Sequence, residues 1–571
     1  MEAEAKQWNE HLKYEAVRVL SEEETARVRA EVDRARILKV RFAYRDKNGA
    51  KRREDSSIPC KAKARLCIGG HMDPDIQTGE LQTEAPTASR MSLCLLLQLS
   101  AMRRWRLSAG DVEAAFLNGE VAKRGLYFEL PKRGLPGVPK GRLIEVVKGV
   151  FRLVTSPRLW WQKLVKELLK LEFNHGGDTY RLEQHPLDPC FFLLRNQQKE
   201  PIGGLITHVD DILVGVPDSM NDGVHQTLSA IFPISTWERD SFEYVGSTIT
   251  HDKDSFEVTL SQRTYVNTRL EVVDYPKGIN YDHKADEVTV KDNMSAIGAL
   301  SWLASQSRPD LQASVSLAQR RQRSPTYGDV RDTNKAIKAA QAGKGEALEF
   351  KSLDPGDLAI LVFHDAAWAN ATHVANENDH VDPEHEDIGV YSQLGHIVVL
   401  TEMKALLGVE AKCNVLAWKS HACPRVCRST FAAETMSALE GIEDAIAIRA
   451  HYQGALHGVV NEDGARMEVP IVSITDCKSV YNSVHRAGGP RAPSEKRLIV
   501  DLAALRQLVR SEEETWGEKI PGGKAMRWVP TEQQRADILT KVKGGVTDWW
   551  TSMRSLNLPF RAQRLERTPG V

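Results

Sequence analysis

The chain has 571 residues, of which 42% are hydrophobic and 27% are charged, and its formal net charge is −1. This near-neutral balance argues against a generic nucleic-acid coat protein, although local basic patches remain compatible with it. No window reaches the roughly 18 consecutive apolar residues of a membrane span, and the acidic N-terminus lacks the pattern of a secretory signal. The 8 cysteines are too sparse for a disulfide framework, so free thiols in a reducing compartment are expected.

The first part of the chain predicts helices separated by short strands. Residues 1–36 read as helical, and a capping box is predicted at Ser21 and Glu24. Residues 37–68 change to a pattern typical of short strands. The apolar run over residues 89–105 then predicts another helix.

A helix, a polar segment and an α/β alternation follow. The next helix is predicted to begin with Ser156 as N-cap and Pro157 at its first position. The polar stretch 324–355 is interpreted as a connection between two parts. Strands and helices alternate from 358 to 541, which favours a mixed α/β domain. Its acidic segment 376–387 is expected to be an exposed loop.

The tetrapeptide His208-Val209-Asp210-Asp211 interrupts the apolar stretch LITHVDDILVGV. Strands are depleted in Asp, so the pattern predicts strand, tight turn and strand, with Asp210 and Asp211 at the tip. Adjacent carboxylates repel each other and are most easily kept ionised by a divalent cation. A metal-dependent active site is therefore one interpretation, and an exposed Asp-Asp turn is the other.

A third carboxylate, Asp111, stands at the end of a predicted short strand. Together with Asp210 and Asp211 it could converge at one edge of a sheet, the arrangement that phosphoryl transfer with two metal ions requires. Phe116 follows five residues later and could lie under the sugar of a nucleotide, where its ring would exclude a 2′-OH. A core aromatic is the alternative interpretation of Phe116.

These residues belong to a series of segments whose order resembles that of copia-type LTR-retrotransposon reverse transcriptases. The resemblance runs from about residue 35 to 340 and implies a right-hand polymerase fold with fingers, palm and thumb. The segments are KARL (63–66), EAPT (84–87), DVEAAFLNGE (111–120), TSPRLWW (155–161), HVDD (208–211), YVG (244–246), LSQRTYV (260–266) and SRPDL (307–311).

The resemblance also implies roles for individual residues. Asp111 and Asp210 correspond to the principal Mg²⁺ ligands, with Asp211 as a supporting carboxylate. Phe116 corresponds to the steric gate that selects dNTPs. Two basic residues of the fingers would neutralise the incoming triphosphate, namely Lys63 and Arg65. Two Mg²⁺ ions are implied for the active site, with Mn²⁺ as a substitute.

The chain departs from the family pattern at four positions. His208 stands where the family usually has Tyr. Val154 and Thr155 replace the usual Lys and Gln, which removes a hydrogen-bonding group on the template or nucleotide side. Arg152 replaces a Gly, which is unfavourable if the backbone there has a positive φ.

A second set of acids lies in four separate elements of the C-terminal part, and each alone could be a cap or a surface residue. Together they resemble the D-E-D-D set of the RNase H fold that is fused behind copia-type polymerases, over residues 357–545. The resemblance implies an α/β domain with a mixed five-stranded sheet and two Mg²⁺ ions that cut the RNA strand of an RNA–DNA hybrid. The four acids are Asp365, Glu434, Asp476 and Asp537.

Two smaller patterns accompany this set. Thr430, Ala433 and Ser437 lie near Glu434 at about one-turn spacing and are small enough to let a nucleic-acid backbone approach. His421 lies close to two cysteines in HACPRVC, but no second Cys/His pair stands at a zinc-finger spacing. Free thiols are therefore expected there.

The resemblance leads to an expected organisation of four parts: an N-terminal helical extension (1–36), fingers and palm (37–270), thumb or connection (271–350) and an RNase H-like domain (351–571). The expected partners are an RNA template, a DNA primer, RNA–DNA hybrid and dNTPs, with association with other retrotransposon Pol or Gag products and none with a membrane. The expected location is the cytoplasm, in virus-like particles, or the nucleus.

The expected function is that of an RNA-directed DNA polymerase with RNase H activity, supplied by a polyprotein fragment or a truncated gene product. Two alternatives stay open. The first is a degenerate or repurposed Pol fragment that binds nucleic acid without polymerase activity. The second is a nuclease with a decayed polymerase half.

Overall fold

A computed structural model of the chain describes residues 2–49, 52, 55–79, 81–374, 388–460, 468–488, 495–542 and 546–558. The chain divides into two compact units. The first comprises residues 1–89, 108–214 and 218–238, and the second comprises residues 90–107, 215–217 and 239–571. Within the described ranges, no helix combines the length and the apolar character needed to cross a membrane. The predicted acidic loop 376–387 lies outside the described residues.

The helices and strands up to residue 239 belong mainly to the first unit, whereas helix α3 belongs to the second. In chain order they are α1 Glu2–Lys13, β1 Val17–Val19, α2 Glu22–Glu31, β2 Ile37–Leu38, β3 Val40–Asp46, β4 Ala62–Ile68, α3 Arg90–Arg103, β5 Arg106–Val112, β6 Tyr127–Glu129, β7 Leu143–Val146, α4 Ser156–Leu168, β8 Glu172–His175, β9 Asp178–His185, β10 Asp188–Arg195, β11 Pro201–His208, β12 Asp211–Val216, α5 Asn221–Ile231 and β13 Ile234–Arg239.

The N-terminal segment is not helical throughout, so the prediction for residues 1–36 is wrong in part. Strand β1 separates α1 from α2 and pairs antiparallel with β7, with Val17 opposite Val146. The reason is tertiary, because Val17 is buried in the same apolar cluster as Val146. The capping box is confirmed, since the Ser21 hydroxyl accepts from the Glu24 N–H and the Glu24 carboxylate accepts from the Ser21 N–H.

Three sheets organise the first unit. A small sheet has the order β1-β7-β6-β2, and the predicted strands of residues 37–68 include the antiparallel hairpin of β3 and β4. A sheet of seven strands has the order β13-β5-β12-β11-β10-β9-β8. Its two inner strands β5 and β12 are neighbours, which brings the predicted strand of Asp111 beside the predicted hairpin of Asp210.

Helix α4 shows how its sequence pattern produces packing. Trp160, Leu164 and Leu168 follow one another at intervals of four and are all buried, as a helix with one apolar face requires. Ser156 is the first helical residue, and Thr155 is the N-cap, so the predicted N-cap is shifted by one position. The Ser156 hydroxyl instead exchanges hydrogen bonds with the N–H and the carbonyl of Val150, each at 2.7 Å.

The second unit carries the remaining elements. In chain order they are β14 Ser241–Tyr244, β15 Ser247–His251, β16 Val258–Ser261, α6 Arg263–Arg269, α7 Glu287–Gln306, α8 Gln312–Arg321, α9 Tyr327–Ala342, β17 Leu348–Phe350, β18 Leu358–Val374, β19 Ile388–Glu402, β20 Ala411–Ala422, α10 Thr430–His457, β21 Ile471–Thr475, α11 Lys478–His485, α12 Lys496–Trp516, β22 Met526–Trp528, α13 Val546–Arg554 and β23 Ser555–Leu556.

The stretch 324–355, which is interpreted from the sequence as a connection between two parts, is packed within the second unit. It forms helix α9, which starts with a capping box at Thr326 and Asp329. Ala336 and Ile337 of this helix are buried in an apolar cluster together with residues of α7. The stretch reads as polar because only one side of α9 meets this cluster.

The C-terminal sheet is mixed and has the order β22-β21-β18-β19-β20-β23. Strands β18, β19 and β20 are antiparallel, whereas β21 is parallel to both β18 and β22. Five strands were predicted, and the described residues of this sheet form six, because the two residues of β23 pair with the start of β20. Helix α10 begins after the N-cap Ser429 and ends at Gly458, whose φ of 73° suits a helix C-terminus.

Two candidate active sites

The first candidate site is built on the turn between β11 and β12. The predicted strand, turn and strand are confirmed, but the tip is shifted by one residue: β11 ends at His208, Val209 and Asp210 form the turn, and Asp211 already begins β12. Val209 has a φ of 59°, a left-handed conformation that is an outlier for a β-branched residue. The indole N–H of Trp160 donates to the Val209 carbonyl at 2.6 Å. Helix α4 therefore holds the turn in its strained conformation.

Asp111 lies next to this turn. The N–H of Val112 donates to the Asp210 carbonyl at 2.9 Å, which joins the end of β5 to the tip of the hairpin. Burial, followed by the Asp210 charge, raises the pKa of Asp111. Burial and the charges of Asp210 and Asp111 raise the pKa of Asp211 to about 7. The three acids therefore form one electrostatic cluster, and a divalent cation among them would relieve their repulsion.

Strand β4 brings the two predicted fingers residues toward this cluster. Burial lowers the pKa of Lys63, followed by the charge of Arg65, while the charge of Asp111 acts in the opposite direction. The Arg65 guanidinium lies 5.6 Å from the centre of the Phe151 ring. Phe151 in turn meets Phe116 edge to face, with 6.0 Å between the ring centres. Phe151, which the sequence analysis did not single out, thus connects two of the predicted nucleotide-binding residues.

Phe116 lies in a short 3-10 helix, Ala115–Asn118, and is half-buried. Ala114, just before it, has a φ of 52°, so the chain turns sharply after the strand of Asp111. Gly149 lies so close that an added Cβ would stand 2.7 Å from the Phe116 carbonyl oxygen. This close approach requires a glycine at position 149 and constrains the backbone at Phe116.

The departures from the family pattern fall around the same site. Arg152 has a φ of 69°, so the expected conflict at this position is confirmed: an arginine occupies a left-handed conformation. Burial lowers the pKa of His208, although the Asp210 charge opposes the shift. Thr155 is buried, and its hydroxyl has no hydrogen-bond partner in the described part of the chain.

The second candidate site brings together three of the four acids predicted for it. Asp365 lies within β18 and Asp476 directly follows β21. The parallel register pairs Phe363 with Ile474, so both acids are two residues beyond a matched pair. Glu434 is added by α10, and among the described residues only these three acids place carboxylate oxygens within 4.8 Å of one another.

The environment of this trio suits a hard cation. Burial raises the pKa of Glu434 well above its ordinary value, and the charges of Asp365 and Asp476 raise it further. Burial also raises the pKa of Asp365. One Glu434 oxygen, Oε2, is buried without a hydrogen-bond partner. Mg²⁺ prefers carboxylate oxygens, so the donor set fits this ion.

The fourth acid, Asp537, is not part of the trio. It lies in the 3-10 helix Arg535–Leu539 and is buried. Its carboxylate is paired with the ammonium group of Lys541, which also lies 3.7 Å from Asp365 Oδ2. The hydroxyl of Thr540 donates to the same Asp365 oxygen. The predicted set of four acids is therefore divided between a trio and an ion pair, joined by Asp365.

Two of the three small residues of α10 pack against the sheet, so the prediction that they let a nucleic-acid backbone approach is wrong for Ala433 and Ser437, whereas Thr430 is exposed. Ala433 and Ser437 are fully buried. The Ser437 hydroxyl donates toward the carbonyls of Asp365 and Gly395 at 2.9 and 3.0 Å. Small side chains at these positions bring the helix close to β18 and β19, which places Glu434 beside Asp365.

Several residues that position these sites escaped the sequence analysis. Trp160 lies in the segment TSPRLWW that supports the resemblance, and Lys541 lies four residues after the predicted site residue Asp537, so both stand next to a sequence signal. The hydrogen-bond partner of Trp160 is 49 residues away along the chain. The ion-pair partner of Lys541 is 4 residues away. The long-range partner of Trp160 is a backbone carbonyl, which no side-chain pattern reveals.

The cysteines behave as expected, since all eight are free. His421 Nε2 donates to the Glu440 carboxylate at 2.7 Å. Cys423 and Cys427 lie with their sulfur atoms 3.5 Å apart. His421 is thus engaged by a carboxylate, and no grouping with metal-ligand geometry includes it among the described residues.

Known proteins resemble both halves of the chain. Residues 33–277 match the family model described as reverse transcriptase (RNA-dependent DNA polymerase). The chain is 23% identical over 497 residues to the retrovirus-related Pol polyprotein from transposon RE1 of Arabidopsis thaliana, which covers 84% of this chain and 29% of the polyprotein. It is 25% identical over 318 residues to the putative transposon Ty5-1 protein of Saccharomyces cerevisiae, which covers 52% of this chain and 93% of that protein. The chain thus spans less than a third of the plant polyprotein.

Proposed function

We propose that the chain is an RNA-directed DNA polymerase of the copia type, since residues 33–277 match the reverse transcriptase family model and the chain is similar to two transposon proteins. The observation that carries the proposal is the junction of Asp111 with the turn of Asp210, closed by the hydrogen bond from Val112 to the Asp210 carbonyl. In the proposed division of the chain, residues 37–270 are fingers and palm and residues 271–350 are thumb or connection.

Each group of the first site has a proposed part in nucleotide addition. Asp111 and Asp210 hold the cations, with Asp211 as a supporting carboxylate. Lys63 and Arg65 offset the charge of the dNTP triphosphate.

Phe116 contributes specificity in this proposal. Its half-buried ring packs edge to face against Phe151, and in this role the ring excludes a nucleotide with a 2′-OH. The role predicts that a smaller side chain at this position admits ribonucleotides.

We further propose that residues 351–571 form an RNase H-like domain that cleaves the RNA strand of an RNA–DNA hybrid. The three buried carboxylates within 4.8 Å support this second activity. When bound at either site, Mg²⁺ stabilises charge on the phosphate and lowers the pKa of the attacking hydroxyl or water. Asp365, Glu434 and Asp476 hold such a cation, while the buried surroundings strengthen its interaction with the carboxylates.

The two activities are separable by single substitutions. The purified chain, supplied with Mg²⁺, dNTPs and an RNA template with a DNA primer, is expected to extend the primer and to cleave the hybrid. Asp210→Asn is expected to lower extension at least about 100-fold and to spare cleavage, because a charged cation ligand is lost. Asp476→Asn is expected to do the reverse. Asp254→Asn, at an exposed carboxylate of the second unit, is the matched control and should change neither.

The outcomes distinguish the candidate functions. Cleavage without extension by the unaltered chain would indicate a nuclease with a decayed polymerase half. Binding of the template–primer with neither activity would indicate a degenerate or repurposed fragment. Two departures from the family pattern favour this alternative: the left-handed Arg152, and His208 in place of the usual Tyr. Association with other Pol or Gag products, and a place in virus-like particles or the nucleus, are part of the proposal for an active enzyme.

A further inference from the structure

Lys541 lies among the acids of the nuclease site without being one of its predicted residues. Its ammonium nitrogen is paired with the Asp537 carboxylate and lies 3.7 Å from Asp365 Oδ2. The side chains of both acids are almost fully buried, with 4% and 5% exposure, whereas that of Lys541 is 47% exposed. The Lys541 ammonium group therefore bridges two buried carboxylates and remains in contact with solvent.

Asp365 belongs to two groups of carboxylates that could each bind a divalent ion. With Glu434 and Asp476 it forms the trio whose oxygens lie within 4.8 Å. With Asp537 it forms the pair that Lys541 joins. The trio can hold a divalent ion while Lys541 stays in place, but the pair cannot, because an ammonium group and a divalent ion repel each other at contact distance.

We propose that Lys541 is a positioning residue that occupies the place of the second divalent ion, a role that depends on the proposed nuclease function. The first ion binds to Asp365, Glu434 and Asp476. The second binds between Asp365 and Asp537 only after the ammonium group has moved into solvent. The flexible four-carbon stem of lysine and its half-exposed position permit this movement.

The competition is unequal because Lys541 is tethered. A group attached by a short flexible chain acts at an effective concentration in the millimolar range. A second ion must therefore displace a local cation, and its affinity falls well below that of the first. Thr540 contributes to the same arrangement, since its hydroxyl donates to Asp365 Oδ2 and holds this oxygen toward the pair.

The test uses Mn²⁺ as the probe and counts bound ions by electron paramagnetic resonance in the absence of nucleic acid. The full chain carries Asp111→Asn and Asp210→Asn, which remove the ion-binding acids of the first site. Lys541→Gln is compared with the control Lys524→Gln. Lys524 is 48% exposed and lies 3.4 Å from the Glu513 carboxylate, so it matches Lys541 in exposure and pairing but belongs to no acid cluster.

The expected result is specific to one ion. Lys541→Gln should tighten the second Mn²⁺ at least about tenfold and leave the first unchanged, whereas Lys524→Gln should change neither. Lys541→Arg keeps the positive charge and should retain the weak second ion. This charge dependence separates competition from a merely structural role of the side chain.

Three results would contradict the inference in different ways. An unchanged second affinity in Lys541→Gln overturns the role of Lys541 and leaves the nuclease site standing. Weakening of both ions, with a lower melting temperature, shows that Lys541 supports the fold and also overturns the role. A chain that binds no more Mn²⁺ than its Asp365→Asn variant overturns the proposed nuclease site itself.

Discussion

The hydrogen bond from Trp160 to the turn of Asp210 leads to a quantitative prediction. Trp160→Phe retains an aromatic ring but removes the indole N–H that donates to the Val209 carbonyl at 2.6 Å. A partly buried carbonyl left without its donor costs about 1–3 kcal/mol. The left-handed conformation of Val209, with a φ of 59°, stores a strain of about 1–3 kcal/mol. The two terms are comparable, so without the donor the turn can relax and move Asp210.

The expected effect is on the rate of chemistry. Each 1.4 kcal/mol corresponds to about a tenfold change in rate, so single-turnover primer extension should slow roughly 10- to 100-fold. Hybrid cleavage by the same preparation should be unchanged, because its proposed acids lie in the second unit. Trp161→Phe removes an equal volume from the same helix without removing the donor to Val209, and it should extend primers close to the normal rate.

Extension by Trp160→Phe within about twofold of the unaltered chain would refute this reasoning. A loss of similar size in Trp161→Phe would also refute it, since the cause would then be the packing of α4. Trp160 meets Phe232 edge to face, with 5.9 Å between the ring centres, so this packing contact is retained by a phenyl ring.

Three further predictions concern stability and pH. Arg152→Gly should raise the free energy of unfolding in urea by up to about 1 kcal/mol, because glycine adopts a φ of 69° without steric strain; an unchanged or lower value would contradict the strain. Burial and the neighbouring acids raise the pKa of Asp211 from 3.8 to about 7, so the folded state holds this proton more tightly than the unfolded chain. Stability without a cation should therefore fall as the pH rises from about 4 to about 7, and Mn²⁺ affinity at the first site should increase over the same window, as isothermal titration at about pH 5 and about pH 7 would show; equal affinities at the two pH values would contradict this. Asp310→Ala leaves the buried Arg308 guanidinium without its carboxylate and should destabilise the second unit by about 3–5 kcal/mol; hydrogen exchange of helix α7 at the normal rate would contradict this.

The local patterns predicted elements where the chain supplies its own signal. The strand of Asp111, the hairpin of Asp210 and the capping box at Ser21 all follow from residue preferences over a few positions. The same reasoning failed where distant residues decide the outcome. Strand β1 exists because Val17 meets Val146, more than 120 residues away in the chain, and no local preference contains that information.

The candidate sites show the same division. The acids could be named from the sequence, because carboxylates are rare in apolar strands and their motif order is specific. The sequence did not show which of these acids lie close together in space. Four acids were expected to act as one set, but Asp537 is held by Lys541, and only Asp365, Glu434 and Asp476 come within 4.8 Å.

The sequence by itself therefore determined which residues are the candidates for metal and nucleotide binding, since residue type and spacing decide what a side chain can bind. Tertiary structure alone decided how these residues are held. The strained turn at Val209, the indole of Trp160 and the ammonium of Lys541 act through backbone conformation and through-space charge. These interactions fall off steeply with distance, so they exist only once folding has brought separate elements together.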